Sequence, residues 1–191
     1  MDHWTCRSAD YWPSTPYPGE RSECSWRLVD GSVHRVTPVD SGWLDVATGE
    51  AVELAGRVFI LAYGSNANPN KMLGVNAVML QADITDAQAV WCNARRRTDG
   101  SVVSTLVERP GHLEACPVLA LRPEELPKVD MWEEPAYTRI NFWGSCVLET
   151  GTAITPEVYV GGPTRPPLRI DGNYVPLHLT KHAVVDQLVP R

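Results

Sequence analysis

The run "RVFILAYG", residues 57 to 64, constrains the fold more than any other stretch. A short, continuous apolar segment of this kind is expected of a strand covered on both faces, so the chain must place layers on either side of a sheet. The run ends in Tyr63-Gly64-Ser65-Asn66, and Asn68-Pro69 follows. That pair predicts a helix capped by Asn68 with Pro69 at its first position. A glycine at a strand end can take positive φ and turn successive N–H groups toward one point. Beside the positive end of a helix, such a loop suits a carboxylate or a developing oxyanion. On pattern alone the same residues also make an ordinary polar turn.

The other elements read as follows. Residues 1 to 25 are rich in proline, serine and aromatic residues, and Pro13, Pro16 and Pro18 rule out a helix there. This stretch is expected to be an extended arm, with Trp4, Tyr11, Trp12 and Tyr17 against the body. "WRLVDGSVHRV" alternates around Asp30-Gly31, a hairpin signal, and Thr48-Gly49 marks a second tight turn. Two strands joined at Asp99-Gly100, the strand "CPVLALR", the helix "PEELPKVDMWEE", later strands through "TAITPEVYV" and a terminal helix in "LTKHAVVDQLV" complete the order. The pattern is α+β: a mixed, mostly antiparallel β-barrel-like core with flanking helices. Residues 1–56 are expected to be an arm and β-hairpin extension, and residues 57–191 the main domain.

Composition narrows the function classes. The formal charge of −6 and pI near 5.3 argue against a general nucleic-acid binder, although one local positive pocket remains compatible. No apolar run is long enough to cross a bilayer, and the N-terminus lacks the apolar centre of a secretory signal. Five cysteines without a CxxC pair suggest reduced thiols, several of them buried, and a cytoplasmic protein. His178 and His182 have i, i+4 spacing but lack the glutamate of a zinc-binding HExxH, so no metal is assigned. Arg95–Arg97 sit beside a turn and read as a solvated hairpin end, with a grip on an acidic ligand tail as the alternative.

A second chemical candidate is "VDMWEEPAYTR". Asp130 and Glu133 share a helix face, and a carboxylate among Val129, Met131, Trp132 and Pro135 is a candidate proton shuttle. Taken in order, "AYGSNANPNKM", "VDMWEE" and Tyr137-Thr-Arg139 resemble the γ-glutamyl cyclotransferase-like superfamily over roughly residues 57 to 175. Members carry a Tyr-Gly-Ser-Asn loop after the first core strand and an essential glutamate in a Leu-Asp-x-x-Glu-Gly segment further on. Here Ala67 stands where leucine is usual and Glu134 where glycine is usual. Both Glu133 and Glu134 are candidates for the acid, and counting three from Asp130 selects Glu133.

The resemblance implies a fold, a reaction and a site. The α-amine of a γ-glutamyl compound attacks its own γ-amide, releasing 5-oxoproline and a free amine or peptide. Glu133 is the implied catalytic acid–base. Tyr63, Gly64, Ser65, Asn66 and Tyr137 are the implied substrate-binding residues, and Tyr159 and Tyr174 are positional guesses for the pocket wall. No metal or organic cofactor is called for. The expected partner is a small γ-glutamyl substrate, without nucleic acid or membrane, and a homo-oligomer is compatible. A catalytically inactive binding module and an amide hydrolase on the same loop and carboxylate are the alternatives.

Overall fold

Residues 4–40 and 42–190 are described by a computed structural model of the chain. Met1–His3, at the start of the expected arm, Ser41 and Arg191 lie outside the described residues.

The centre is a sheet whose path runs Cys6–Ser8, Ser32–Val39, Trp26–Val29, Ala77–Leu80, Val118–Leu121, Val58–Leu61, Glu157–Gly161, Tyr137–Asn141. Its ladders are antiparallel except where Glu157–Gly161 meets Val58–Leu61 in parallel. The expected α+β class with a mostly antiparallel core is what the chain adopts. The barrel-like core is not a single closed ladder among the described residues: the sheet has two free ends, and a second sheet pairs Ala153–Ile154, Cys146–Leu148, Ala82–Arg95 and Val102–Ala115.

Side-chain alternation explains the layering. Along Ala77–Leu80, Val78 and Leu80 enter one apolar cluster while Ala77 and Met79 enter another. Val118–Leu121 divides in the same way, Val118 and Ala120 against Leu119 and Leu121. A strand's period of two turns a continuous apolar sequence into two cores, one on each face. The first core packs the second sheet against the first, through Ile84, Trp91, Val102 and Leu106. The second core holds the helix Leu126–Glu133 through Val129 and the arm through Ala9 and Trp12.

The hairpin at Asp30-Gly31 forms as expected, both residues taking positive φ (49° and 79°). Its strand Trp26–Val29 pairs with Ala77–Leu80, so the sheet runs without a break from the N-terminal hairpin into the core. Among the described residues, the arm holds only the short strand Cys6–Ser8 and one 3₁₀ turn, Ala9–Tyr11, before residue 26. Trp12 and Tyr17 are buried in the body, whereas Tyr11 is exposed. The two strands joined at Asp99-Gly100 and the terminal helix, His182–Leu188, are present.

One local expectation fails. No α-helix follows Asn68-Pro69; the chain makes single 3₁₀ turns at Ser65–Ala67 and Asn70–Met72. Leu73 leaves helical geometry (ψ 132°) and Gly74 takes φ +80°, which ends the turn at once. Asn68 still behaves as a cap, its Oδ1 accepting the Lys71 N–H at 2.9 Å.

Candidate active site

A cavity of about 860 Å³ opens where the Val58–Leu61 strand ends and the Leu126–Glu133 helix stops. The loop Tyr63–Asn66 forms one part of its wall, and Glu133 and Tyr137 another. The structure thus brings all six sequence-selected residues to one cavity.

Gly64 is needed for a reason other than the one its sequence context suggested. Its φ is −103°, not positive. A Cβ at this position would lie 2.8 Å from Tyr17 Oη and 3.2 Å from Ser104 Oγ. The glycine makes room for a side chain from the N-terminal arm. Among the described residues, the N–H groups of Gly64, Ser65 and Asn66 donate to no protein acceptor, while Gly64 and Ser65 carbonyls accept the N–H groups of Ala67 and Asn68.

Lys71, which the sequence pattern did not single out, gathers the site. Its Nζ donates to Ser65 Oγ at 2.9 Å and Asn66 Oδ1 at 2.8 Å, and lies 3.3 Å from Glu133 Oε1. Glu133 is therefore not a lone carboxylate in an apolar setting. Its side chain is 12% exposed and shares a cation with the loop. Glu134 caps the helix, donating its N–H to the Asp130 carbonyl, and is exposed. Both candidate acids line the cavity; Glu133 is the more buried of the two and the one beside Lys71.

Asp130, three residues earlier, is a fastening. Its Oδ1 accepts Arg139 Nε at 2.8 Å and the Tyr159 hydroxyl at 2.6 Å. Arg139 also pairs with Glu157. The Arg139 guanidinium holds the Asp130 carboxyl below its usual range, with burial opposing and the Tyr159 bond helping. Since Arg139 faces Tyr159 across the two strands, this network ties the helix end to the sheet edge.

The tyrosines act as walls whose protons are already engaged. Tyr63 donates to the Tyr159 carbonyl at 2.6 Å, and Tyr137 to the Ser104 carbonyl at 2.8 Å. Burial pushes both phenols up, so neither is an acid at neutral pH. Tyr17, 5% exposed, shares a 2.6 Å hydrogen bond with Ser104 Oγ, and burial pushes its phenol up to about 12. Tyr159 lines the cavity, but Tyr174 does not; it lies under Arg169 instead.

The arm is fixed to the loop by more than Tyr17. Asn68, fully buried, donates through Nδ2 to the carbonyls of Trp12, Pro13 and Glu20 at 3.1, 3.1 and 2.8 Å. Arg21 donates to the Tyr63 carbonyl. The cysteines are free, and Cys92, Cys116 and Cys146 are buried, with burial pushing their thiols up. Among the described residues no His, Cys, Asp or Glu cluster suits a metal. No described helix is long and apolar enough to cross a membrane.

No family model matches the chain, and no curated protein matches it. Solved structures do. A γ-glutamyl cyclotransferase is 20% identical over 56% of this chain and 67% of its own, with a TM-score of 0.49. An AIG2-like protein from Mus musculus is 18% identical over 66% of this chain and 95% of its own, with a TM-score of 0.44. A yeast γ-glutamyl cyclotransferase specific to glutathione is 13% identical over 60% of this chain and 75% of its own, with a TM-score of 0.43. Each is a partial likeness of fold.

Proposed function

We propose that the protein is a γ-glutamyl cyclotransferase-like enzyme, converting a γ-glutamyl amide into 5-oxoproline and a free amine. The observation that carries this reading is Glu133, facing the cavity and joined through Lys71 to Ser65 and Asn66 of the loop. A carboxylate and a set of N–H groups without protein acceptors among the described residues, on one cavity, are what the cyclisation needs.

The substrate's α-ammonium sheds a proton to become a nucleophile, and Glu133 is the base. The amine then attacks the γ-carbonyl carbon, a C–N bond forms, and negative charge gathers on the carbonyl oxygen. Gly64, Ser65 and Asn66 have N–H groups available for that oxygen or for the α-carboxylate. Collapse breaks the original C–N bond, and Glu133 returns its proton to the departing nitrogen. The ring nitrogen gives up its second proton, which the released amine takes to leave as an ammonium. Attack within one molecule removes the entropy cost of bringing two reactants together. The tyrosine walls supply shape and exclude water.

The test is a panel of γ-glutamyl compounds with the products separated. Release of 5-oxoproline supports the reading. Release of free glutamate instead would assign an amide hydrolase, and binding without either product a non-catalytic module.

A further inference from the structure

A γ-glutamyl group fills only part of a cavity of about 860 Å³, a size that suits a considerably larger ligand. The remaining wall is basic, although the chain as a whole carries a net charge of −6. Arg95, Arg96, Arg97 and Arg165 all line it.

These four arginines are not equivalent. Arg95 is occupied, bonding the Asp186 carboxylate and the carbonyls of Gly100, Asp186, Val189 and Pro190, which pins the C-terminal segment. Arg96 pairs with Asp99 and lies 5.6 Å over the Tyr17 ring. Arg97 is exposed and has no hydrogen-bond or ion-pair partner among the described residues. Arg165 is half-buried; Nη1 reaches only the Thr164 carbonyl, and its buried Nε has no partner. No carboxylate pairs with Arg165 among the described residues. A buried guanidinium donor without an acceptor is costly, and an incoming anion would supply the acceptor.

The backbone is shaped for this placement. A Cβ at Gly161 would lie 2.7 Å from Arg165 Cβ and 3.0 Å from its carbonyl oxygen. Glycine there lets the Arg165 turn close against the strand pair in which Gly161 faces Tyr137. Tyr17 separates the basic wall from the loop: its hydroxyl meets Ser104 near Gly64, while Arg96 covers its ring. The acids lining the same cavity are Glu133, already beside Lys71, and the exposed Glu134.

We infer that Arg97 and Arg165 form an anion subsite for the ligand beyond its scissile amide, so that the departing amine carries a carboxylate, as an amino acid or peptide does. This assignment rests on the γ-glutamyl reading above, and it disfavours amines that leave neutral or with only a positive charge.

The experiment uses the full chain and three probes: γ-glutamyl-alanine, its C-terminal amide, and N-acetyl-γ-glutamyl-alanine, which cannot cyclise. The wild type is expected to prefer the acid over the amide by about tenfold or more in kcat/KM, the worth of one charged hydrogen bond. Arg97→Ala and Arg165→Ala are each expected to bring that ratio toward one, and to weaken calorimetric binding of the acetylated probe by about tenfold. Arg97 is exposed, so its variant tests the idea even if Arg165→Ala fails to fold. An acid-to-amide ratio near one in the wild type, or one unmoved in Arg97→Ala, overturns the subsite while leaving cyclisation standing. If no γ-glutamyl compound is turned over, the acetylated probe decides alone: arginine-dependent binding keeps the subsite, and its absence removes it.

Discussion

Lys71 Nζ stands 3.3 Å from Glu133 Oε1 while donating to Ser65 and Asn66, so one ammonium joins the candidate acid to the loop it works against. Lys71 and Glu133 are 62 residues apart in the chain, and this cation ties the acid to the loop.

Glu133→Gln keeps the size and the hydrogen bond from Lys71 but cannot take or return a proton. The expected loss in kcat is about 10²–10⁴-fold, with ligand binding largely kept. Glu134→Gln, at the exposed helix cap, is expected to stay within about threefold, since it alters no contact made by the pocket acid. Release of 5-oxoproline by both variants, beside calorimetric binding of a substrate analogue, checks the pair. Full turnover by Glu133→Gln would remove the assignment.

Gly64→Ala pushes a methyl into Tyr17 Oη and Ser104 Oγ, at 2.8 and 3.2 Å. Overpacking of this kind costs about 1–3 kcal/mol. Tyr17→Phe removes the nearer atom, so the double variant should be less destabilised than the sum of the two singles. Denaturant midpoints for the four proteins form a cycle that measures this coupling. Additive effects would mean that the arm does not press on the loop.

Asn68→Ala leaves the carbonyls of Trp12, Pro13 and Glu20 without their donor and the Lys71 N–H without its cap. A loss of about 2–4 kcal/mol is expected, from several bonds at about 1 kcal/mol each and burial of what they leave. Limited proteolysis should then cut within residues 13–24 well before global unfolding. Unchanged cleavage in that stretch would show that other contacts hold the arm.

Asp130 gives a pH dependence of definite sign. Arg139, and after it Tyr159, hold its folded-state pKa below the unfolded value of about 3.9. The stability it contributes is complete above that unfolded value and is lost as pH falls through the folded one. Melting temperatures of the wild type and Asp130→Asn, followed from about pH 6 to about pH 2, should converge on the acid side. A gap that widens toward low pH would contradict the network.

Much of this architecture was legible from local sequence. The apolar runs at 58–61 and 118–121 are strands because alternating burial on both faces suits them. Asp30-Gly31 makes its turn because both residues accept positive φ. Counting three from Asp130, as the resemblance implies, selects Glu133, and that side chain lines the cavity beside Lys71. What escaped depends on contacts between distant segments. Lys71 carries no spacing signal, since its partners meet only in the folded chain. The helix expected after Pro69 fails although Asn68 makes its cap, because Leu73 leaves helical geometry and Gly74 takes positive φ. Arg95–Arg97 read as a solvated turn, and Arg97 is exposed, but the turn also borders the cavity.

The contact between Tyr17 and Gly64 has a practical consequence for anyone shortening this protein. A version starting at residue 57 would keep every residue that the motifs pick out, yet it would lose the phenol that abuts the glycine, the guanidinium on the Tyr63 carbonyl and the strand that covers Ala77–Leu80. Trimming to the recognisable part would remove one side of the pocket together with the edge protection of the sheet beneath it.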